Sequence, residues 1–159
     1  MRLRQFKYNR VTVFFSWLRF LLLKGFYKKI IIGASGRGLR GYLKTEGKYF
    51  DVLRKDHWEQ VSNLSSIVAE GVWEHLIDPQ LATTYAYCQL DYGGELVIAV
   101  PGHTEDISRM AEFGHLWHFE EEQLIDMFRL AGFKKVEILV SDSRIKYSCR
   151  ECLIIRGIR

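Results

Sequence analysis

A single α/β domain on a mostly parallel sheet is predicted by three apolar runs of strand type, each stopping at a small or acidic residue. Ile30-Ile31-Ile32 ends at Gly33-Ala34-Ser35-Gly36, Ser66-Ile67-Val68-Ala69 ends at Glu70, and Glu95 to Val100 ends at Pro101-Gly102. Near-continuous apolar runs of this kind suit strands buried on both faces. Their shared polar exits predict a ligand crevice at one end of the sheet.

A chain of 159 residues fits one domain and can bury about 70% of its unfolded surface without disulfides or a metal. Its 48% hydrophobic and 14% aromatic content excludes a disordered chain. The net charge of +4 conceals an asymmetry, since residues 1–29 carry eight bases and no acid, leaving fifteen bases against nineteen acids beyond. A basic amino end on a mildly acidic body points to an anionic partner.

Val11 to Leu23 is apolar apart from Thr12, Ser16 and Arg19, too short for the roughly 20 residues that span a bilayer. Arg19 interrupts what would be a leader's apolar core, and Gly25-Phe26-Tyr27-Lys28 offers no small-residue cleavage site. Apolar residues at 14, 15, 18, 21 and 22 follow helical spacing, and Trp17 and Phe20 widen the stripe. Residues 1–28 are therefore read as a basic apolar helix ahead of a domain over 29–159. Such a helix needs cover, from its own domain, a second copy of the chain or a membrane surface.

The remaining elements follow in order. Leu39 to Glu46 alternates as a second strand with an acid at its end. Only nine residues separate Ile32 from Tyr42, fewer than the dozen that a crossover helix takes. Asp56, with Glu59 three positions on, predicts the cap of a short helix. Ser66 to Ala69 is a strand, Asp78-Pro79 opens a helix reaching Tyr87, and a turn at Asp91-Tyr92-Gly93-Gly94 feeds the strand to Val100. Gly102 to Trp117 is loop-like. A helix then starts at Glu120-Glu121-Glu122, buries Leu124, Ile125, Phe128 and Ala131, and stops at Gly132. Lys135 to Val140 and Cys152 to Ile158 read as an antiparallel edge hairpin.

Three cysteines without a secretory pattern favour a reducing, cytoplasmic setting. Cys149 and Cys152 have C-x-x-C spacing, yet neither a second pair nor matching histidines accompany them, so no metal site is expected. Cys152 is read as a small buried hydrophobe.

In this order the motifs resemble the class I S-adenosylmethionine-dependent methyltransferases, especially short bacterial members linked to glycan or envelope biosynthesis. The resemblance covers roughly Lys29 to Val140. Lys29 to Gly36 is similar to the first strand and cofactor loop, and Gly41-Tyr42-Leu43-Lys44-Thr45-Glu46 to the second strand with its ribose-binding acid. Ala69-Glu70-Gly71-Val72-Trp73-Glu74-His75-Leu76 resembles the fourth-strand exit, where a Glu-His-Leu triplet recurs. Tyr92 to Leu96 with Ala99-Val100-Pro101, and Ala131-Gly132-Phe133, resemble the approaches to the fifth and sixth strands.

The resemblance implies a shortened Rossmann-like methyltransferase sandwich, mostly parallel, with S-adenosylmethionine as cofactor and a small-molecule or glycan acceptor. Its cofactor residues would be Gly33, Ala34, Ser35, Gly36, Glu46, Asp51 and Glu70. Low side-chain bulk at the glycines lets backbone approach a ligand, and an ionised Glu46 can accept two ribose hydroxyls. An oxygen acceptor also needs a base, and His115 and His103, after the fifth family strand, are the candidates. His118 and His75 are read as structural.

Other classes fit less well. Gly33, Gly36 and Gly38 are in the wrong order for a nicotinamide-binding fingerprint, and no Gly-Lys-Ser/Thr follows for a P-loop. Nucleic-acid binding would rest only on the basic amino end, whose apolar interleaving favours lipid or protein. The alternative is a non-catalytic methyltransferase-like protein that docks through its amino-terminal helix.

Overall fold

The computed structural model describes residues 27–33, 40–45, 50–102, 114–142, 144–145 and 152–159. The amino-terminal helix expected over 1–28 lies outside them except for its last two residues. The strands are β1 (Lys29–Gly33), β2 (Leu43–Thr45), β3 (Leu64–Glu70), β4 (Leu90–Pro101), β5 (Lys135–Leu139) and β6 (Cys152–Ile158). The helices are α1 (Lys55–Trp58), α2 (Pro79–Gln89) and α3 (Glu121–Ala131), with a 3₁₀ turn at Trp73–His75.

The six strands form one sheet in the order β2-β1-β3-β4-β6-β5. The first four are mutually parallel, and β6 runs antiparallel to both β4 and β5. This is the mostly parallel sheet with an antiparallel edge pair expected from the sequence.

Alternation along the strands sorts side chains onto two unlike faces. Ile30, Ile32, Ile67, Ala69, Leu96, Ile98 and Ile155 join one large core with Ala82 and Ala86 of α2 and Leu124, Met127 and Phe128 of α3. Ile31, Val68, Val97, Ala99 and Ile154 form a smaller cluster on the other face, flanked by Tyr42, Leu139 and Ile145. Both longer helices are held at their starts. Asp78 Oδ1 accepts from Leu81 N at 2.8 Å ahead of Pro79, and Glu120 and Gln123 form a reciprocal capping box. Gly132 ends α3 in the left-handed conformation, in keeping with its place in the sequence.

Four local expectations are corrected. The second strand is three residues long, not eight, in keeping with the short connection before it. Asp56 is not the cap of α1, because the helix begins one residue earlier and the Asp56 carboxylate pairs with Arg54 at 2.7 Å. Asp91 to Gly94 does not turn ahead of the strand. It lies inside β4 as an irregularity, where Gly93 N donates to Arg159 O and Arg159 N to Gly94 O, each at 2.9 Å. Cys152 opens β6 half-buried and in a disulfide, whereas Cys88 is free and exposed.

One polar cluster joins the amino-terminal parts of the parallel strands. Arg144 grips Asp142, with Nε 2.9 Å from Oδ1 and Nη2 2.6 Å from Oδ2, and pairs through Nη1 with Glu95. The same Nη1 is 3.3 Å from both Tyr42 OH and Ser66 Oγ. The guanidinium holds the Asp142 carboxyl below the usual carboxylate range, and its own ionisation is pushed further up by Asp142. Asp142's contribution is therefore present above its unfolded value near 3.9 and is lost as pH falls through the lower folded value. Arg144→Met is expected to cost about 1–3 kcal/mol at neutral pH, less than for a fully desolvated pair because solvent screens part of it. Urea unfolding at neutral pH and near pH 3 should show that difference shrinking in acid, and an equal difference at both would exclude a charge-based role.

Candidate active site

The chain passes from β1 to β2 on one side and then to β3 on the other, so the direction of winding reverses between β1 and β3. In open α/β sheets the crevice outside the carboxyl ends of such a strand pair is where ligands bind. Gly33 and Glu70 are register partners at that point, each the last residue of its strand.

Gly33 has φ +75°, and a β-carbon there would overlap the Glu70 carbonyl oxygen and the Val72 side chain. Only glycine satisfies both the backbone and the space. Glu70 is 4% exposed. The loop residues Ala34, Ser35 and Gly36, the acid Glu46 and His103 lie outside the described residues. Asp51 is exposed and closes its own loop, with Oδ1 accepting from Leu53 N at 2.9 Å and its backbone N donating to His57 Nδ1 at 2.8 Å. Before it, Phe50 is buried edge-on to Trp58.

Beyond Glu70 the chain makes the 3₁₀ turn that carries Glu74 and His75. Trp73 anchors this turn, its Nε1 donating to Thr83 Oγ1 at 2.9 Å while that hydroxyl donates to Pro79 O at 2.8 Å. The segment before α3 is clamped onto the same turn. Glu74 O accepts from Leu116 N at 2.7 Å and from Trp117 N at 3.1 Å, and Trp117 Nε1 donates to Leu76 O at 2.6 Å.

That clamp brings His115 to His75, with ring centroids 4.7 Å apart and planes at 72°. His75 Nδ1 is 3.1 Å from the Gly114 carbonyl oxygen, which can only accept, so Nδ1 donates this hydrogen bond. Nε2 lies 3.9 Å from Oε1 of Glu74, whose side chain is fully buried. His75, read from the sequence as structural, stands partly exposed beside His115. Glu74 and His75 are legible as part of the Glu-His-Leu triplet, but their proximity to a histidine forty positions on has no local signal. His118 is placed structurally, with Nε2 3.1 Å from Gly102 O.

No protein-family model and no curated protein matches the chain. Among solved structures it is similar to PigF with SAH, at 14% identity and a TM-score of 0.56, over 76% of this chain and 36% of that one. It is also similar to a SAM-dependent methyltransferase of Thermotoga maritima, described as a possible histamine N-methyltransferase, at 19% identity and a TM-score of 0.51, over 90% and 77% of the two chains. The CurJ carbon methyltransferase aligns at 16% identity and a TM-score of 0.55, over 75% and 35%. The chain thus spans about a third of the length of PigF and CurJ. At these identities the likeness is one of fold, and the fold is that of the class I S-adenosylmethionine-dependent methyltransferases. No helix among the described residues is long and apolar enough to cross a membrane.

Proposed function

We propose that this chain binds S-adenosylmethionine at the β1–β3 crevice and transfers its methyl group to a small-molecule or glycan acceptor. The observation that carries the reading is the fit at Gly33, where strand exit, positive φ and a space too small for a β-carbon coincide at the switch point. When bound, the sulfonium supplies an already activated methyl group. The protein's share is to bind, orient and exclude water.

In this reading, backbone from Gly33 through Gly36 lies against the amino-acid part of the cofactor, Glu46 accepts the ribose hydroxyls, and Glu70 borders the same pocket. Asp51 contributes near adenine through the loop that it closes. His115 acts on the acceptor, as base or contact, and His103 is the second candidate. Residues 1–28 serve as a docking element for a second copy or a membrane surface. A catalytically silent relative working through that element is the alternative outcome.

Calorimetry with S-adenosylhomocysteine tests the reading. The wild-type chain is expected to bind, and Glu46→Ala to weaken binding by about 1–3 kcal/mol, the range for a lost charged hydrogen bond. No heat of binding at millimolar ligand would remove the enzyme reading.

A further inference from the structure

We propose that Glu74, His75 and His115 form a binding site for one first-row divalent transition-metal ion, with Zn2+ as the probe. Each residue offers one ligand atom, and the three atoms lie within 4.8 Å of one another. Two imidazoles and one carboxylate are a donor set that binds zinc with a fourth position open. Tetrahedral bonds of about 2.1 Å place donors about 3.4 Å apart, so closure takes movements of about 1.4 Å at most. Neither histidine is fully buried, so both can make them.

Three features argue for a built site over a chance cluster. The carboxylate is fully buried with the His75 imidazole 3.9 Å away, so the cluster's acid is held inside the fold and not on its surface. His75 Nδ1 is 3.1 Å from the Gly114 carbonyl oxygen, an orienting hydrogen bond of the kind that metal-bound histidines make through the ring nitrogen away from the ion. The backbone clamp from Leu116 and Trp117 to Glu74 O fixes His115 relative to the other two. Glu74 and His75 follow Glu70 by a few residues along the chain. Resting on the methyltransferase reading, the open position would receive an acceptor oxygen, and His115 would act on the acceptor through the ion.

The test is equilibrium dialysis of the untagged full-length chain, stripped with chelator, against Zn2+ alone. One ion per chain is expected, with affinity lowered at least tenfold in both His75→Ala and His115→Ala. Far-UV circular dichroism melting establishes that the variants fold, and zinc held by cysteines or scattered surface groups would survive both substitutions. Absence of stoichiometric binding by the wild type, or wild-type affinity in the folded variants, overturns the site. Binding of S-adenosylhomocysteine is measured separately on the metal-free chain. Its failure counts against methyl transfer and leaves the metal site standing, and the converse result does the reverse.

Discussion

Gly33→Ala is expected to destabilise the chain by about 2–5 kcal/mol and to abolish measurable S-adenosylhomocysteine binding. Two costs add at this position. A left-handed backbone costs a residue with a β-carbon about 1–2 kcal/mol, and forcing an atom into filled space typically costs about 1–3 kcal/mol. The added carbon would push against the Glu70 carbonyl and Val72, so the damage falls on the β1–β3 junction itself. Gly41 separates the two effects, because it shares the positive φ at +83° but has nothing within 4 Å of where a β-carbon would stand. Gly41→Ala should therefore lose only the backbone share and keep ligand binding. Urea unfolding and calorimetry on both variants check this, and equal losses would show that the close approach at Gly33 is of no consequence.

His115→Ala is expected to lower methyl-transfer turnover by about 10²- to 10⁴-fold, the range for loss of a group that activates the acceptor, by taking its proton or by holding the ion that binds it, while cofactor affinity stays close to wild type. The separation follows from placement. His115 sits on the segment clamped to the Glu74–His75 turn, whereas the cofactor contacts are proposed at Gly33 through Gly36 and Glu46. Single-turnover rates and calorimetry on the same preparation check it. Parallel loss of rate and affinity would assign His115 to the support of the pocket. An unchanged rate would exclude it and leave His103, or an acceptor that needs no proton removal.

The strands that form the crevice were legible because their signal is local. Ile30 to Gly33 and Ile67 to Glu70 carry both the apolar run and its abrupt stop, and Glu120-Glu121-Glu122 and Gly132 mark the two ends of α3. What local pattern misread was decided at a distance. Gly93-Gly94 has the composition of a turn, yet the backbone of Arg159 supplies hydrogen bonds that keep it within β4. Asp56 has the spacing of a cap, but the chain enters the helix one residue earlier and Arg54 takes the carboxylate. The histidines at 75 and 115 meet where two backbone amides find the carbonyl of Glu74, and neither amide is distinguished by its sequence.

The strand order also dictates a schedule for synthesis on the ribosome. β6 lies between β4 and β5, so among the described strands β5 has no neighbour to bond until one made later threads in beside it. Until Cys152 to Ile158 has emerged, the β4 edge that will receive it presents open amide and carbonyl groups, and such edges recruit other chains. The nascent domain thus carries an association-prone edge through the interval between β4 and β6, and a factor that holds unfinished chains would find a binding surface there.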